Sequence, residues 1–210
     1  MPLQNRVTPF GDLTATPDRG MFMGNRGCLH DANRQIVRDF VGTRWIICEL
    51  QFKGRHRQPM TPGQYTELFF LDEATALAAG HRPCAECRRE RFNMFRDAFA
   101  EANGLTGTVR ATDIDALLHQ QRRASRPLLD GEALHSLPSG VLVASDGAAF
   151  LTTTRGLRRW SAAGYLDGQA WPDDTSLQLL TPPATVGALR VGYTPVLHAT
   201  AREPVAQPPT

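Results

Sequence analysis

The sequence predicts an α+β fold, in which a small strand-strand-helix-helix module is followed by a further helix and a C-terminal β-rich α+β part. Three observations predict it. The run TRWIICELQF at 43–52 is rich in β-branched and aromatic residues, as strands are. Residues 72–125 carry helix caps and helical apolar spacing. Residues 137–154 contain two apolar runs around an Asp-Gly pair, which is a strong hairpin signal.

The first half begins with residues 1–22, where several prolines and glycines predict an irregular arm. The next strands are expected at 43–52 and at 65–70, and we expect them to pair with each other. Asp72 is a suitable N-cap for a short helix that ends at Gly80.

Two longer helices follow in the sequence. The first is expected to run from Pro83 to Gly104, with an apolar stripe formed by Phe92, Phe95 and Phe99. Thr112 and Asp115 have capping-box spacing and predict a third helix. We therefore place one module at 23–121.

The second half is predicted to be a β-rich part at 137–200. It contains the hairpin at 137–154, a strand at 175–180 and a last helix with apolar residues at Val186 and Leu189. The tail at 201–210 has the composition of a disordered segment.

The composition of the 210 residues is that of a globular protein, with 41% hydrophobic and 21% charged residues. The net charge of +2 is too small to indicate a polyanion partner by itself. No apolar run is long enough to span a membrane, and the N-terminal residues lack the pattern of a signal peptide. We expect a cytoplasmic protein whose cysteines stay reduced and serve as metal ligands or reactive groups.

The segment GHRPCAECRRERF at 80–92 carries the main chemical signal. Cys84 and Cys87 have the spacing of a zinc half-site at a helix start, where the helix N-terminus also favours thiolates. Cys48 is the expected third ligand, and the fourth is either Cys28 or His56. Two other interpretations stay open: a redox-active pair, and thiols that are merely buried small side chains.

The stretch YTELFFLDEATALAAGHRPCAECRR at 65–89 resembles the zinc-binding N-terminal domain of the Ada DNA-repair proteins. The upstream TRWIICEL is similar to the strand of that family that ends in a reactive cysteine. The resemblance covers about 43–95. Phe52 stands where the family has a further cysteine.

The Ada resemblance implies a zinc-stabilised module with a four-thiolate site, built here from Cys28, Cys48, Cys84 and Cys87. It implies that Cys48 accepts a methyl group from a DNA phosphotriester, with Zn²⁺ mainly structural. Surrounding basic residues would then contact the DNA backbone. The candidates for that contact are Lys53, Arg55, Arg57, Arg82, Arg88 and Arg89. Without the resemblance, such charge clusters are most often simply solvated surface.

Two alternative functions follow from other features. The loop GNRGCLHD at 24–31 is dense in polar side chains, and His30 with Asp31 could serve a metal-assisted nuclease or other phosphodiester-processing enzyme. A tight turn that needs Asn and Gly explains the same residues. In the third interpretation, zinc only stabilises a protein-interaction module.

Overall fold

A computed structural model describes residues 1–54, 58–170 and 177–201 of the chain. Within these ranges the chain forms two six-stranded sheets and five α-helices, which confirms the predicted α+β class. The sequence candidates Arg55, His56 and Arg57 lie outside the described residues, and so does nearly all of the predicted tail.

The N-terminal sheet has the strand order β2-β1-β5-β3-β4-β6. β1 runs parallel to β5 and β4 runs parallel to β6, whereas the other neighbours are antiparallel. The predicted pairing of the strands near 43–52 and 65–70 is wrong, because β3 lies between them. The strands are β1 (Gln4–Val7), β2 (Leu13–Ala15), β3 (Phe22–Asn25), β4 (Ile46–Cys48), β5 (Leu68–Phe70) and β6 (Arg82–Pro83).

Residues 1–22 are not the irregular arm that their prolines and glycines predict. β1 and β2 form an antiparallel pair at the edge of the sheet, and Val7 is buried in the core. Pro2 and Pro9 lie outside the strand, so neither removes a backbone donor from the ladder. Gly11 has a φ of 93° in the turn between the two strands. The prolines and glycines therefore mark the ends of strands here.

Three helices follow this sheet: α1 (Glu73–Ala78), α2 (Arg89–Ala102) and α3 (Ala111–Arg123). The Asp72 side chain caps α1 as predicted, and all six residues of α1 are buried. α2 begins six residues after Pro83, because Arg82 and Pro83 pair with β4 as a strand. The predicted stripe on α2 is confirmed, since its three phenylalanines are buried.

The C-terminal sheet is antiparallel, with the order β11-β10-β9-β8-β12-β7. The predicted hairpin joins β8 to β9, and both of its turn residues, Asp146 and Gly147, have positive φ angles. That geometry is typical of a two-residue hairpin loop. The elements of this half are β7 (Leu128–Leu129), α4 (Gly131–His135), β8 (Leu142–Ser145), β9 (Ala148–Thr153), β10 (Gly156–Ser161), β11 (Gly164–Gln169), β12 (Leu177–Leu179), α5 (Pro183–Arg190) and a 3₁₀ turn (Ala199–Ala201).

The two halves share their hydrophobic core. One continuous cluster includes Phe95 and Phe99 from α2, Val143 from β8 and Leu189 from α5. A second cluster joins α1 to β8 and β9. The segments at 23–121 and 137–200 are therefore packed on one another. In the part of the chain described, no helix is both long and apolar enough to cross a bilayer.

Candidate metal centre

Cys48 is the last residue of β4, and its position follows from the pairing of that strand. β4 lies between β3 and β6, so Cys48 is covered on both sides and is 7% exposed. The parallel neighbour β6 ends at Pro83, directly before Cys84. Two parallel strands end at the same edge of a sheet. Cys48 and Cys84 therefore emerge at the same edge.

Cys84 and Cys87 lie in the turns between β6 and α2, not in the first turn of the helix as the sequence suggested. The backbone N–H of Cys84 donates a 2.9 Å hydrogen bond to the carbonyl oxygen of Ile47. This bond continues the β4–β6 pairing by one residue, beside Cys48. Both thiols are half-buried.

The three sulfur atoms of Cys48, Cys84 and Cys87 lie within 4.8 Å of one another. Thiolates bound to one zinc ion at about 2.3 Å each are about 3.8 Å apart in a tetrahedron. The sulfurs thus need only small movements to share an ion. The structure brings together the three predicted ligands, and this group could hold a metal ion.

The proximity of the thiols changes their acidity. The pKa of Cys84 is lowered because its sulfur accepts hydrogen bonds from Cys48 and then from Cys87. The pKa of Cys48 is raised by its hydrogen bonds with Cys84 and Cys87, followed by burial. These directions favour ionisation of the half-buried Cys84 over that of the buried Cys48.

Backbone N–H groups also point at the sulfurs. The N–H of Glu86 donates to the sulfur of Cys84 at 3.4 Å, and the N–H of Glu49 donates to the sulfur of Cys87. Such donors stabilise thiolates and orient metal ligands. The turn after β6 and the residue after β4 thus both support the ionised state.

Cys28 is not part of this group. In the antiparallel pairing of β3 with β4, Met23 lies opposite Cys48 and Asn25 lies opposite Ile46. The chain beyond Asn25 therefore runs past the start of β4, at the end of the strand far from Cys48. The Cys28 thiol instead contacts the carbonyl oxygen of His30 at 3.7 Å. The four-cysteine site implied by the Ada resemblance is therefore not assembled.

Two of the predicted DNA-contacting arginines are buried in ion pairs. Arg82 forms a bidentate pair with Asp115, with hydrogen bonds of 3.0 and 2.8 Å. Arg88 lies 2.9 Å from both Glu49 and Glu73, and its guanidinium stacks 4.2 Å from the centroid of the Phe22 ring. Both guanidinium groups are buried and already paired with carboxylates, which weighs against a contact with a DNA phosphate. The partners Asp115, Glu49 and Glu73 are far from these arginines in sequence, so local sequence patterns did not predict the ion pairs.

The remaining candidates for DNA contact are at the surface or outside the described ranges. Lys53 and Arg89 are exposed. The amino group of Lys53 lies 5.1 Å from the centroid of the Phe52 ring. Arg55 and Arg57, together with the alternative ligand His56, fall between the described segments.

His30 and Asp31 have structural roles. The Nε2 of His30 lies 3.1 Å from the carbonyl oxygen of Thr61 and must therefore carry the proton that it donates. Its Nδ1 then accepts from the Thr66 hydroxyl at 2.6 Å. The Asp31 carboxylate accepts from the backbone N–H groups of Asn33 and Gln35 at 2.9 Å each. The protein contains a cavity of about 630 Å³, and neither His30 nor Asp31 lines it. This weighs against the nuclease hypothesis.

That cavity was not predicted from the sequence. Arg26, from the GNRG turn, lines it together with Trp45, Arg122 and Arg126. Within the polar GNRGCLHD loop, the residue that lines the cavity is Arg26, whereas the sequence points to His30 and Asp31 as the functional side chains. The other residues are distant in sequence, and no spacing links them.

The chain was compared with protein-family models, with curated proteins and with solved structures, and none of the three comparisons found a match.

Proposed function

We propose that the chain is a zinc protein whose ion is mainly structural and whose thiolates accept an alkyl group from a phosphotriester such as methylated DNA. The convergence of Cys48, Cys84 and Cys87 carries this proposal. An all-sulfur group of this kind favours zinc over magnesium or calcium, which bind oxygen ligands. Zinc would keep the thiols deprotonated at neutral pH.

The structural role follows from where the ligands come from. Cys48 is the last residue of β4, and Cys84 and Cys87 lie between β6 and α2. One bound ion would therefore link β4, β6 and α2. Three cysteines leave one position of a tetrahedral zinc ion for another ligand. One candidate for this fourth ligand is His56, which lies outside the described residues. The other candidate for the fourth ligand is a water molecule or the substrate.

The alkyl-acceptor role rests on the Ada resemblance and on the accessibility of the sulfurs. The sulfur of the acceptor would form a bond to the methyl carbon while the carbon–oxygen bond breaks and the phosphate diester leaves as an anion. The resemblance assigns this role to Cys48, which is 7% exposed. Cys84 and Cys87 are more accessible in this fold. A search for the modified residue must therefore include all three.

The experiment is to incubate the zinc-loaded protein with DNA that carries methyl phosphotriesters and to map modified cysteines by peptide mass spectrometry. We expect one methyl group on a cysteine of the group, with Cys28 unmodified. Unmethylated DNA of the same sequence is the control. If no cysteine gains a methyl group while zinc is fully bound, the acceptor role is wrong and only the structural role remains.

The second candidate is an interaction module in which zinc serves stability alone. The burial of Cys48 and of the Arg88 ion pairs favours it, since a purely structural site needs no accessible thiolate. The methyl-transfer experiment separates the two, because this candidate predicts full zinc occupancy without modification.

A further inference from the structure

A cavity of about 630 Å³ lies at the opposite end of β4 from the three thiols. Its walls come from distant parts of the chain, which include the β1–β2 turn, Arg26 after β3, the segment around Trp45, the end of α1, the end of α3 and the connection from β12 to α5. Small-molecule sites have volumes of about 300–1,000 Å³ and often lie where two parts of a protein meet. The cavity has the size and location of such a site.

Three arginines line the cavity: Arg26, Arg122 and Arg126. Within the described ranges none of the three has a carboxylate oxygen within 4.0 Å. Arg26 is 4% exposed, and its Nε has no hydrogen-bond partner among these residues. The Nε of Arg122 is likewise buried without a partner there. Buried cations normally have an anionic partner, because leaving them unpaired is costly.

Neutral carbonyl oxygens hold the three guanidinium groups in place. Arg26 donates to Gly11 at 2.9 Å, Arg122 donates to Thr43 at 3.3 Å, and Arg126 donates to Phe10 at 2.5 Å. These acceptors fix the directions of the side chains without forming an ion pair with them. The cations are thus positioned before any ligand arrives.

Burial lowers the pKa values of Arg26 and Arg122. Desolvation lowers the pKa of Arg26 to about 10, although Asp39 and Asp12 act in the opposite direction. Desolvation also lowers the pKa of Arg122 to about 10, although Asp115 acts in the opposite direction, and Arg26 and Arg82 add to the lowering. Asp12 and Asp39 line the cavity too, but both are exposed to solvent. Three guanidinium groups and two solvent-exposed carboxylates thus line the cavity, which leaves an excess of positive charge that an anion would offset.

Aromatic rings form one part of the apolar wall. The guanidinium groups of Arg26 and Arg122 lie 4.6 and 4.3 Å from the centroid of the Trp45 ring. Phe40 packs 5.5 Å from the same ring and is 40% exposed, and Phe10 also lines the cavity. Flat apolar walls beside fixed guanidinium groups suit a planar ring that bears an anionic group.

We propose that this cavity binds a small organic anion, a planar ring that carries a phosphate or a carboxylate. The ring lies against Phe40 and Phe10, which line the cavity, and the anionic group pairs with Arg122 and Arg126. This site does not depend on the metal centre or on its function.

Isothermal titration calorimetry of the full zinc-loaded chain tests the proposal with three probes that share one ring: 2-naphthyl phosphate, 2-naphthoate and uncharged 2-naphthol. We expect at least one anion to bind with a dissociation constant below about 1 mM, and 2-naphthol to bind about tenfold more weakly or not at all. The tighter of the two anions identifies phosphate or carboxylate as the preferred group.

Two substitutions locate the binding. Arg122→Gln and Arg126→Gln should each raise the dissociation constant of the anion about tenfold, because each removes a charge-assisted contact. Arg123→Gln, on the exposed side of the same helix, is the matched control and should bind as the unmodified chain does. If Arg122→Gln does not fold, as judged by circular dichroism, Arg126→Gln alone decides.

Three results would overturn the proposal. They are no binding of either anion up to about 10 mM, equal binding of anions and 2-naphthol, or anion binding that Arg126→Gln leaves unchanged.

Discussion

At the scale of single residues, Cys48 decides whether the protein has a metal centre. The pair Cys84 and Cys87 can offer two thiolates at most, and two ligands rarely hold an ion in water. Cys48 adds the third sulfur from a separate strand, within 4.8 Å of the others. A single residue before or after it would point to the other face of the sheet, because side chains alternate along a strand.

His30 provides a prediction at the same scale. Its two ring nitrogens make buried hydrogen bonds with Thr61 and Thr66, so His30→Ala should destabilise the protein by about 2 kcal/mol. Zinc content should stay the same, because His30 is not a member of the thiol group. Urea unfolding and metal analysis of the purified variant provide the measurement.

The exposed His135→Ala is the control for that variant, and we expect it to change stability by less than about 0.5 kcal/mol. A His30→Ala protein that loses zinc would show that His30 is a ligand. A variant with unchanged stability would show that its hydrogen bonds are unimportant.

At the scale of elements, the short helix α1 connects the metal centre to the C-terminal half. Its first residue, Glu73, is fully buried and accepts hydrogen bonds from Arg88 and Arg91 of the α2 region at 2.9 Å each. It also accepts from the Tyr193 hydroxyl and from the backbone N–H of Val196. One carboxylate thus joins the segment that follows Cys87 to the segment at 193–196.

Glu73→Gln should therefore be strongly destabilising. The amide is neutral and offers one acceptor oxygen in place of two, which leaves the partly exposed Glu49 as the only charged partner of the buried Arg88 guanidinium. Breaking a buried pair in this way costs about 3–5 kcal/mol. Chemical denaturation of the variant measures this cost.

The matched control is Glu90→Gln, an exposed glutamate in the first turn of α2. We expect a cost below about 1 kcal/mol for the control. Equal stability of the two variants would contradict the role given to Glu73.

The elements also show how far the sequence could predict the site. The Cys84–Cys87 pair was evident from local spacing, and the placement of Cys48 was suggested by its strand and by the Ada resemblance. Cys28 could not be excluded from sequence, because its position depends on the register between β3 and β4. The arginine-lined cavity was missed for a similar reason, since only the tertiary fold brings Arg26 and Arg122 to the same Trp45 ring.

At the scale of the whole molecule, the two candidate sites lie at opposite ends of β4. The thiols follow Ile47 at one end, and Trp45 precedes Ile46 at the other. Both ends rest on a core shared by the two halves of the chain. A change in one half should therefore affect the stability of the entire protein.

Metal removal tests this view of the molecule. Dialysis against a strong chelator should lower the free energy of unfolding by about 3 kcal/mol, because a bound ion stabilises only the folded state. For a chain of this length that corresponds to a fall in melting temperature of roughly 6–12 °C. Differential scanning calorimetry should show a single transition, since the halves share a core. Two separate transitions would contradict a shared core, and an unchanged melting temperature would contradict a structural ion.

The most direct test of the metal centre is the zinc content of purified protein, measured by elemental analysis. We expect one zinc ion per chain for the unmodified protein and for Cys28→Ser, because the Cys28 thiol contacts His30 instead of the other sulfurs. We expect a large loss of zinc for Cys48→Ser, Cys84→Ser and Cys87→Ser, since each leaves only two of the three thiolates. Full zinc occupancy in any of these three variants, or its loss in Cys28→Ser, would contradict the three-cysteine centre.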